Sequence, residues 1–322
     1  MGSELVKTLV IGAGGMIGRK LVARLPKEGL IQHDVVPFEG ATHVSDLSTP
    51  GEAEKLIASK PDLIFHLAAI VSGEAEADFE KGYRVNLDGT RLLFEAIRKE
   101  SGKAGYKPRV VFTSSIAVFG APFPEAIGDE FLNAPLTSYG TQKAIGELLL
   151  SDYSRRGFFD GIGIRLPTIC VRPGKPNKAA SGFFSGIIRE PLAGEEAILP
   201  VPETVRHWFA SPRAAIGFLL HAATLKTDLL GNRRNLSMPG VCATVAEQIE
   251  ALRKVVGEKV AGLIRRQPDA TIMRIVEGWP RNFDPQRALS LGFKADRSFE
   301  EIIRIHIEDE LQRTPQPRIA GA

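Results

Sequence analysis

Cysteine is scarce: Cys170 and Cys242 are the only two in 322 residues, far apart and without the spacing of a metal site. That excludes a disulfide framework, gives no reason to expect a bound metal, and suits a reducing cytoplasm, where the chain is expected to work. Long hydrophobic runs are missing as well. No stretch approaches the ~20 apolar residues of a membrane span. The first apolar run, Leu9 to Ile11, is too short for a signal peptide and leads straight into glycines. Neither sign of charge dominates: 41 Lys+Arg against 38 Asp+Glu leaves +3, which suggests neither nucleic acid nor an anionic membrane as a partner. Internal repeats and low-complexity tracts are also absent from the sequence.

What the chain does have is alternation. Residues 5–11, 30–36, 61–69, 109–114 and 161–166 read as short strands, rich in β-branched and apolar side chains. Between them, 16–25, 51–59, 87–99 and 139–153 read as helices with apolar stripes. Strand and helix in turn make βαβ units, so the expected class is α/β, a Rossmann-type doubly wound parallel sheet with a smaller mixed C-terminal part. The rhythm changes after Pro167: 172–212 is rich in Gly and Pro, helices follow near 212–224 and 299–311, and a mixed tail lies between them. The expected division is an NAD-binding domain over 1–166, rejoined by about 210–236, and a mainly substrate-binding domain over 167–322.

Between the first strand and first helix lies Gly12-Ala13-Gly14-Gly15-Met16-Ile17-Gly18. Glycines there permit a tight turn and let a pyrophosphate approach the backbone, with the helix N-terminus supplying amide donors. Asp34 follows about 20 residues on, where a carboxylate at the end of the second strand binds ribose hydroxyls. It would repel a 2′-phosphate, which favours NAD over NADP; Arg19 and Lys20 argue the other way.

Tyr139 and Lys143 stand four apart at the start of a helix and so share a face. A free phenol, with pKa about 10, is no base near neutrality. A cation within ~4–6 Å favours phenolate, and roughly two to three units of lowering are needed. In isolation the pair would be read first as a solvated helix surface.

Three features converge: Gly12, Gly15 and Gly18; Ser114-Ser115 at a strand end; and Tyr139 with Lys143. Together they resemble the extended short-chain dehydrogenase/reductases, including the NAD-dependent epimerase/dehydratase branch, and the resemblance covers nearly the whole chain. It implies an enzyme with a nicotinamide cofactor. Asp46-Leu47 matches the pair that holds adenine. His66-Leu67-Ala68-Ala69 matches the cofactor loop after the strand. Asn86-Leu87-Asp88-Gly89-Thr90 matches the turn into a long dimer helix. Pro167-Thr168-Ile169 matches the turn that contacts the carboxamide. Tyr139 is then the general base, Lys143 its electrostatic partner and a ribose ligand. Ser115 orients the substrate oxygen, preferred to Ser114 because it precedes the Ala117-Val118-Phe119-Gly120 turn. The strings HLAAIVSGEAEADFEKGYRVNLDGT, VVFTSSIAVFGAP, RLPTICVRPGKPNKAASGFF and NLSMPG are similar to a branch that oxidises the C2 hydroxyl of a four-carbon aldonic acid with NAD.

Such a substrate needs a cation for its carboxylate, and the planar fork of arginine suits it. Arg206, where the family keeps an arginine for substrate anions, ranks first; Arg172 and Arg165 are alternatives. Ser72 and Gly73 are placed to meet hydroxyls, with Asn177 and Ser181 weaker candidates. His207, beside Trp208, is given no chemistry. Apolar stripes on 87–99 and 139–153 suggest a homodimer, though packing on the sheet would explain them too. Two rivals share these motifs: a sugar-nucleotide epimerase with tightly bound NAD, and a catalytically silent NAD(P)-sensing protein. A dehydratase is disfavoured, because no Asp-Glu pair follows Ser115.

Overall fold

The computed structural model describes residues 5–174 and 180–312. Seven parallel strands form one sheet in the order Asn235–Ser237, Asp160–Leu166, Arg109–Ser115, Leu63–His66, Thr8–Ile11, Leu30–Asp34, His43–Val44. A sheet covered on both faces wants apolar side chains at every position. Leu9, Val10 and Ile11 are accordingly all fully buried. Because successive side chains point to opposite faces, Leu9 and Ile11 meet Leu56 and Leu93 from helices Glu52–Ile57 and Gly89–Ala104. Val10 packs on the other side, in a cluster with Phe218 and Leu219 of helix Pro212–Thr224.

From Thr8–Ile11 the strand order runs outward both ways, to Leu30–Asp34 on one side and Leu63–His66 on the other. Where strand order reverses, the loops at the strand ends part and leave a crevice. That crevice holds the glycine loop.

The helix expected over 87–99 runs from Gly89 to Ala104 after a π-helical turn, Tyr83–Asp88. The sequence signals neither His43–Val44 nor Asn235–Ser237, which are too short to display a period. Asn235–Ser237 nevertheless closes one edge of the main sheet, pairing with Gly163, Ile164 and Arg165. The chain thus returns to the sheet after building the second lobe's first strands.

In that lobe Arg206–Ala210 lies between Val241–Thr244, antiparallel, and Thr168–Ile169, parallel. Its core joins Ile187 and Ile188 of helix Gly182–Leu192, Ile249 and Leu252 of Val245–Val256, and Ile302 and Ile303 of Phe299–His306. Thr244 and Glu247 start the middle helix with a reciprocal capping box. No helix among the described residues is long and apolar enough to cross a membrane.

Candidate active site

Two of the loop glycines are required by the protein itself. Gly12 has φ +88°, and a Cβ there would lie 2.8 Å from the Ala68 amide nitrogen. A Cβ on Gly18 would stand 2.1 Å from the Gly12 carbonyl oxygen. Gly12 thus lets the loop press on Ala68, between Leu67 and Ala69, and Gly18 lets helix Met16–Val22 close on the loop. Gly15 is different: its Cβ would meet nothing nearer than 3.4 Å. It is exposed, has ordinary extended angles and begins the helix carrying Met16 and Ile17. Packing does not require glycine there, whereas an incoming pyrophosphate would. The cradle therefore fits a dinucleotide.

Asp34 ends its strand beside this loop. Its Oδ2 accepts the Gly14 N–H at 2.9 Å and its Oδ1 the Val36 N–H at 3.2 Å. A carboxylate has about four acceptor positions, so two remain for ribose hydroxyls. Arg19 donates to the Gly14 carbonyl at 2.7 Å and lies over Phe38; Lys20 pairs with Glu310. Asp46 accepts from the Ser48 amide and hydroxyl and pairs with Arg84, next to buried Leu47. Burial pushes its carboxyl up, but Ser48 and Arg84 outweigh that and hold it below the ordinary value.

The second group surrounds Tyr139. Thr137 caps helix Ser138–Arg155 by accepting the Gly140 N–H at 3.0 Å, and Glu76 accepts the Ser138 N–H at 2.9 Å. One turn in, Lys143 is 3% exposed, with Nζ 2.8 Å from the Thr113 carbonyl and 5.8 Å from the Tyr139 ring centre. Burial pulls its ammonium down to about 8, against the opposing charge of Glu147. Ser115 closes the constellation: it accepts the Ala117 N–H at 3.1 Å and is hydrogen-bonded to the Tyr139 phenol. Ser114, one residue earlier, donates instead to Glu147 at 2.6 Å.

The direction of the Tyr139 shift differs from the expectation. Burial pushes the phenol up, and the two opposing influences are the Ser115 hydrogen bond and the Arg172 charge. Lys143 is not among them. Its amine faces the Thr113 carbonyl, and the phenol sits where phenolate is poorly solvated.

Asn86 is 2% exposed and its amide makes three hydrogen bonds: Oδ1 accepts Ile70 N–H at 2.9 Å, while Nδ2 donates to the Ile70 carbonyl at 3.2 Å and Gln142 Oε1 at 2.8 Å. It braces the loop after Leu63–His66. Arg206 is exposed at the start of its strand, beside a cavity of about 1090 Å³ shared with Phe123, Arg274 and Arg281. Its charge is felt by Cys242 and Glu247, not by the phenol.

Arg172 is the guanidinium on the Tyr139 side, its backbone held by Ser185 and Arg189. Arg165 makes a two-pronged bond to Glu147 and stacks on Phe119, a structural role. Pro167 and Ile169 are buried around the short strand Thr168–Ile169. Ser72 opens helix Ser72–Ala77, whose Gly73 borders a groove of about 890 Å³ with Phe183. Ser181 precedes helix Gly182–Leu192; Asn177 lies outside the described residues. His207 bonds Thr168 and the Pro280 carbonyl, and burial pulls it down to about 4.

Sequence reasoning missed Glu76, Gln142 and Glu147. Only Glu147 carried a signal, standing four residues beyond Lys143.

Comparison with known proteins bears on this site. Residues 8–213 match the model of the NAD dependent epimerase/dehydratase family. The chain is 46% identical to D-erythronate dehydrogenase of Cupriavidus necator, across 94% of this chain and 98% of that one. It is 41% identical to D-erythronate dehydrogenase of Haemophilus influenzae, across 95% and 100%. It is also 63% identical to a protein of known crystal structure described as the nucleoside-diphosphate-sugar epimerase from Agrobacterium tumefaciens, with TM-score 0.91 and 98% of each chain covered.

Proposed function

This chain belongs to the NAD-dependent epimerase/dehydratase family, and we propose that it oxidises the C2 hydroxyl of D-erythronate to 2-dehydro-D-erythronate with NAD as acceptor. Membership implies a nicotinamide cofactor. The observation that carries the substrate reading is the company of Tyr139: Ser115 hydrogen-bonds the phenol and the Arg172 charge reaches it. In a 2-hydroxy acid the reacting hydroxyl and the carboxylate sit on adjacent carbons. A cation that holds the carboxylate must therefore stand beside the base.

When bound, the nicotinamide supplies a positively charged hydride acceptor. Gly12, Gly15, Met16, Ile17 and Gly18 would cradle its pyrophosphate; Asp34 would hold the adenosine ribose, and Asp46 and Leu47 the adenine. Leu67, Ala68, Ala69, Pro167 and Ile169 would line the nicotinamide half. Tyr139 takes the C2 hydroxyl proton as general base. Ser115 fixes the direction of that oxygen, and Arg172 clamps the carboxylate. Substrate and cofactor together displace water from the crevice, where positive charge acts on the phenol with less screening. Ser72 would meet the distal hydroxyls.

NAD is preferred to NADP in this reading because Asp34 would face a 2′-phosphate and Lys20 is paired with Glu310; Arg19, bonded to the Gly14 carbonyl in the same loop, argues the other way. Residues 1–166 with 210–236 serve the cofactor and the rest mainly the substrate. Leu148, 70% exposed on helix Ser138–Arg155, supports a homodimer through that helix and Gly89–Ala104; light scattering of Leu148→Glu against the unsubstituted protein tests it. Two free cysteines are consistent with a cytoplasmic setting.

The description of the Agrobacterium tumefaciens relative favours a second reading, sugar-nucleotide epimerisation. Both are tested by mixing the purified protein with NAD or NADP and either D-erythronate or UDP-sugars. NADH formed with D-erythronate alone supports the dehydrogenase. Interconversion of UDP-sugars without net NADH would replace it. Binding of cofactor with no turnover of either would favour a sensing protein, against which the presence of both Tyr139 and Lys143 argues.

A further inference from the structure

One buried carboxylate, used by neither the motif nor the chemistry above, gathers four hydrogen bonds. Glu147 is 1% exposed. Its Oε1 accepts from Ser114 Oγ at 2.6 Å and Arg165 Nε at 2.8 Å; its Oε2 accepts from Arg165 Nη2 at 2.8 Å and Asn133 Nδ2 at 2.9 Å. It stands one helical turn beyond Lys143, as Lys143 stands one turn beyond Tyr139, so the three follow one face. Through these bonds it ties the helix to strand Arg109–Ser115, to strand Asp160–Leu166 and to the loop at Asn133.

We propose that Glu147 is a positioning residue for the reaction: it holds buried Lys143 in its cationic form and fixes the strand of Ser115 against Tyr139. The proposal rests on the reading of Tyr139 and Lys143 given above. A lysine 3% exposed is under pressure to shed its proton. Several groups face it. Tyr139 and Glu147 come from its own helix, buried His66 from strand Leu63–His66, and the Thr113 carbonyl and Phe112 ring from strand Arg109–Ser115.

Burial and the Lys143 charge both pull His66 down to about 3, so it is neutral. Glu147 is the one anion in this set, and its charge opposes the downward pull of burial on Lys143. Arg165 is the other charged group at the carboxylate, bonded to both of its oxygens.

The test is a ¹³C NMR titration of cofactor-free protein labelled at lysine Cε, with Lys143 assigned by the resonance missing in Lys143→Met. The unsubstituted protein should titrate at Lys143 near 8. Glu147→Gln should lower that midpoint by at least about one unit, whereas Glu147→Asp, which keeps the anion, should restore most of it. An unchanged midpoint in Glu147→Gln overturns the proposal and leaves a purely structural residue. If that variant does not fold, Arg165→Met is compared with Glu147→Gln/Arg165→Met: loss of the carboxylate should again lower the Lys143 midpoint, and equal midpoints overturn the proposal. The alkaline limb of kcat/KM should move down with the NMR midpoint, while a merely structural loss would lower kcat without moving the limb. If the unsubstituted protein fails to oxidise D-erythronate, the substrate reading falls, and the NMR result still decides the role of Glu147.

Discussion

Lys143 donates through Nζ to the carbonyl of Thr113 over 2.8 Å, which pins the helix carrying the phenol to the strand ending in Ser115. Thr113 in turn donates from Oγ1 to the His66 carbonyl at 3.0 Å, so the neighbouring strand end is held too. The Tyr139–Ser115 contact is therefore set by backbone anchors on both sides and not by the two hydroxyls alone.

Replacing the phenol isolates its chemistry. Tyr139→Phe removes one oxygen from a half-buried ring and leaves the glycine cradle untouched. Turnover of D-erythronate should fall at least about a hundredfold, the scale of a lost acid–base group. Calorimetric titration with NAD should give nearly unchanged affinity.

The two arginines make opposite predictions. Arg172→Met should raise KM for D-erythronate about ten- to hundredfold, as expected for one lost charge-assisted contact, with much less effect on a neutral polyol. Arg206→Ala should change KM less than about threefold, a guanidinium outside the reach of the phenol being of small consequence. Steady-state kinetics on both variants would reverse the assignment if Arg206 proved the sensitive one.

The glycine loop separates folding from binding. A methyl at Gly18 meets the Gly12 carbonyl at 2.1 Å, and backbone cannot step aside cheaply. Gly18→Ala should destabilise the protein by about 1–3 kcal/mol or more. Gly15→Ala meets nothing under 3.4 Å and should unfold within about 0.5 kcal/mol of the parent, yet bind NAD more weakly. Urea melts and cofactor titrations of the pair check both halves.

Buried histidines make stability depend on pH. Burial holds His66 down to about 3, and His207 and His306 to about 4, from an ordinary 6.5. Below pH 6.5 the unfolded chain protonates these three, and His33, which burial also pulls down, while the native protein refuses those protons, so stability falls as pH falls. Between pH 7.5 and 5.5 the loss from His66, His207 and His306 together should be about 4 kcal/mol. Urea unfolding at the two pH values measures it, and His306→Gln should remove about a third of the difference.

Parts of this were legible in the sequence for definite reasons. Strands covered on both faces become unbroken apolar runs, so Thr8–Ile11 and Arg109–Ser115 announce themselves. His43–Val44 and Asn235–Ser237 do not, because pairing partners create them. The Tyr139 and Lys143 spacing is a helical property and could be read. The upward shift of the phenol is a property of what surrounds it and could not. The preference for Ser115 over Ser114 came from the turn that follows. The structure separates the two serines by a different criterion, since Ser114 is bonded to a carboxylate the sequence did not flag. Arg206 ranked above Arg172 by family position, which says nothing about where a strand points its first side chain.

The late arrival of Asn235–Ser237 has a consequence for biosynthesis. Until residue 237 has left the ribosome, Asp160–Leu166 is a raw edge with unpaired amides and carbonyls on its Gly163–Arg165 stretch. At ~5–20 residues per second, the seventy residues or so between them keep that edge open for several seconds during translation. A nascent chain stalled in this interval would be sticky, and a gene cut after codon 166 would make an aggregating fragment in place of a free-standing cofactor module.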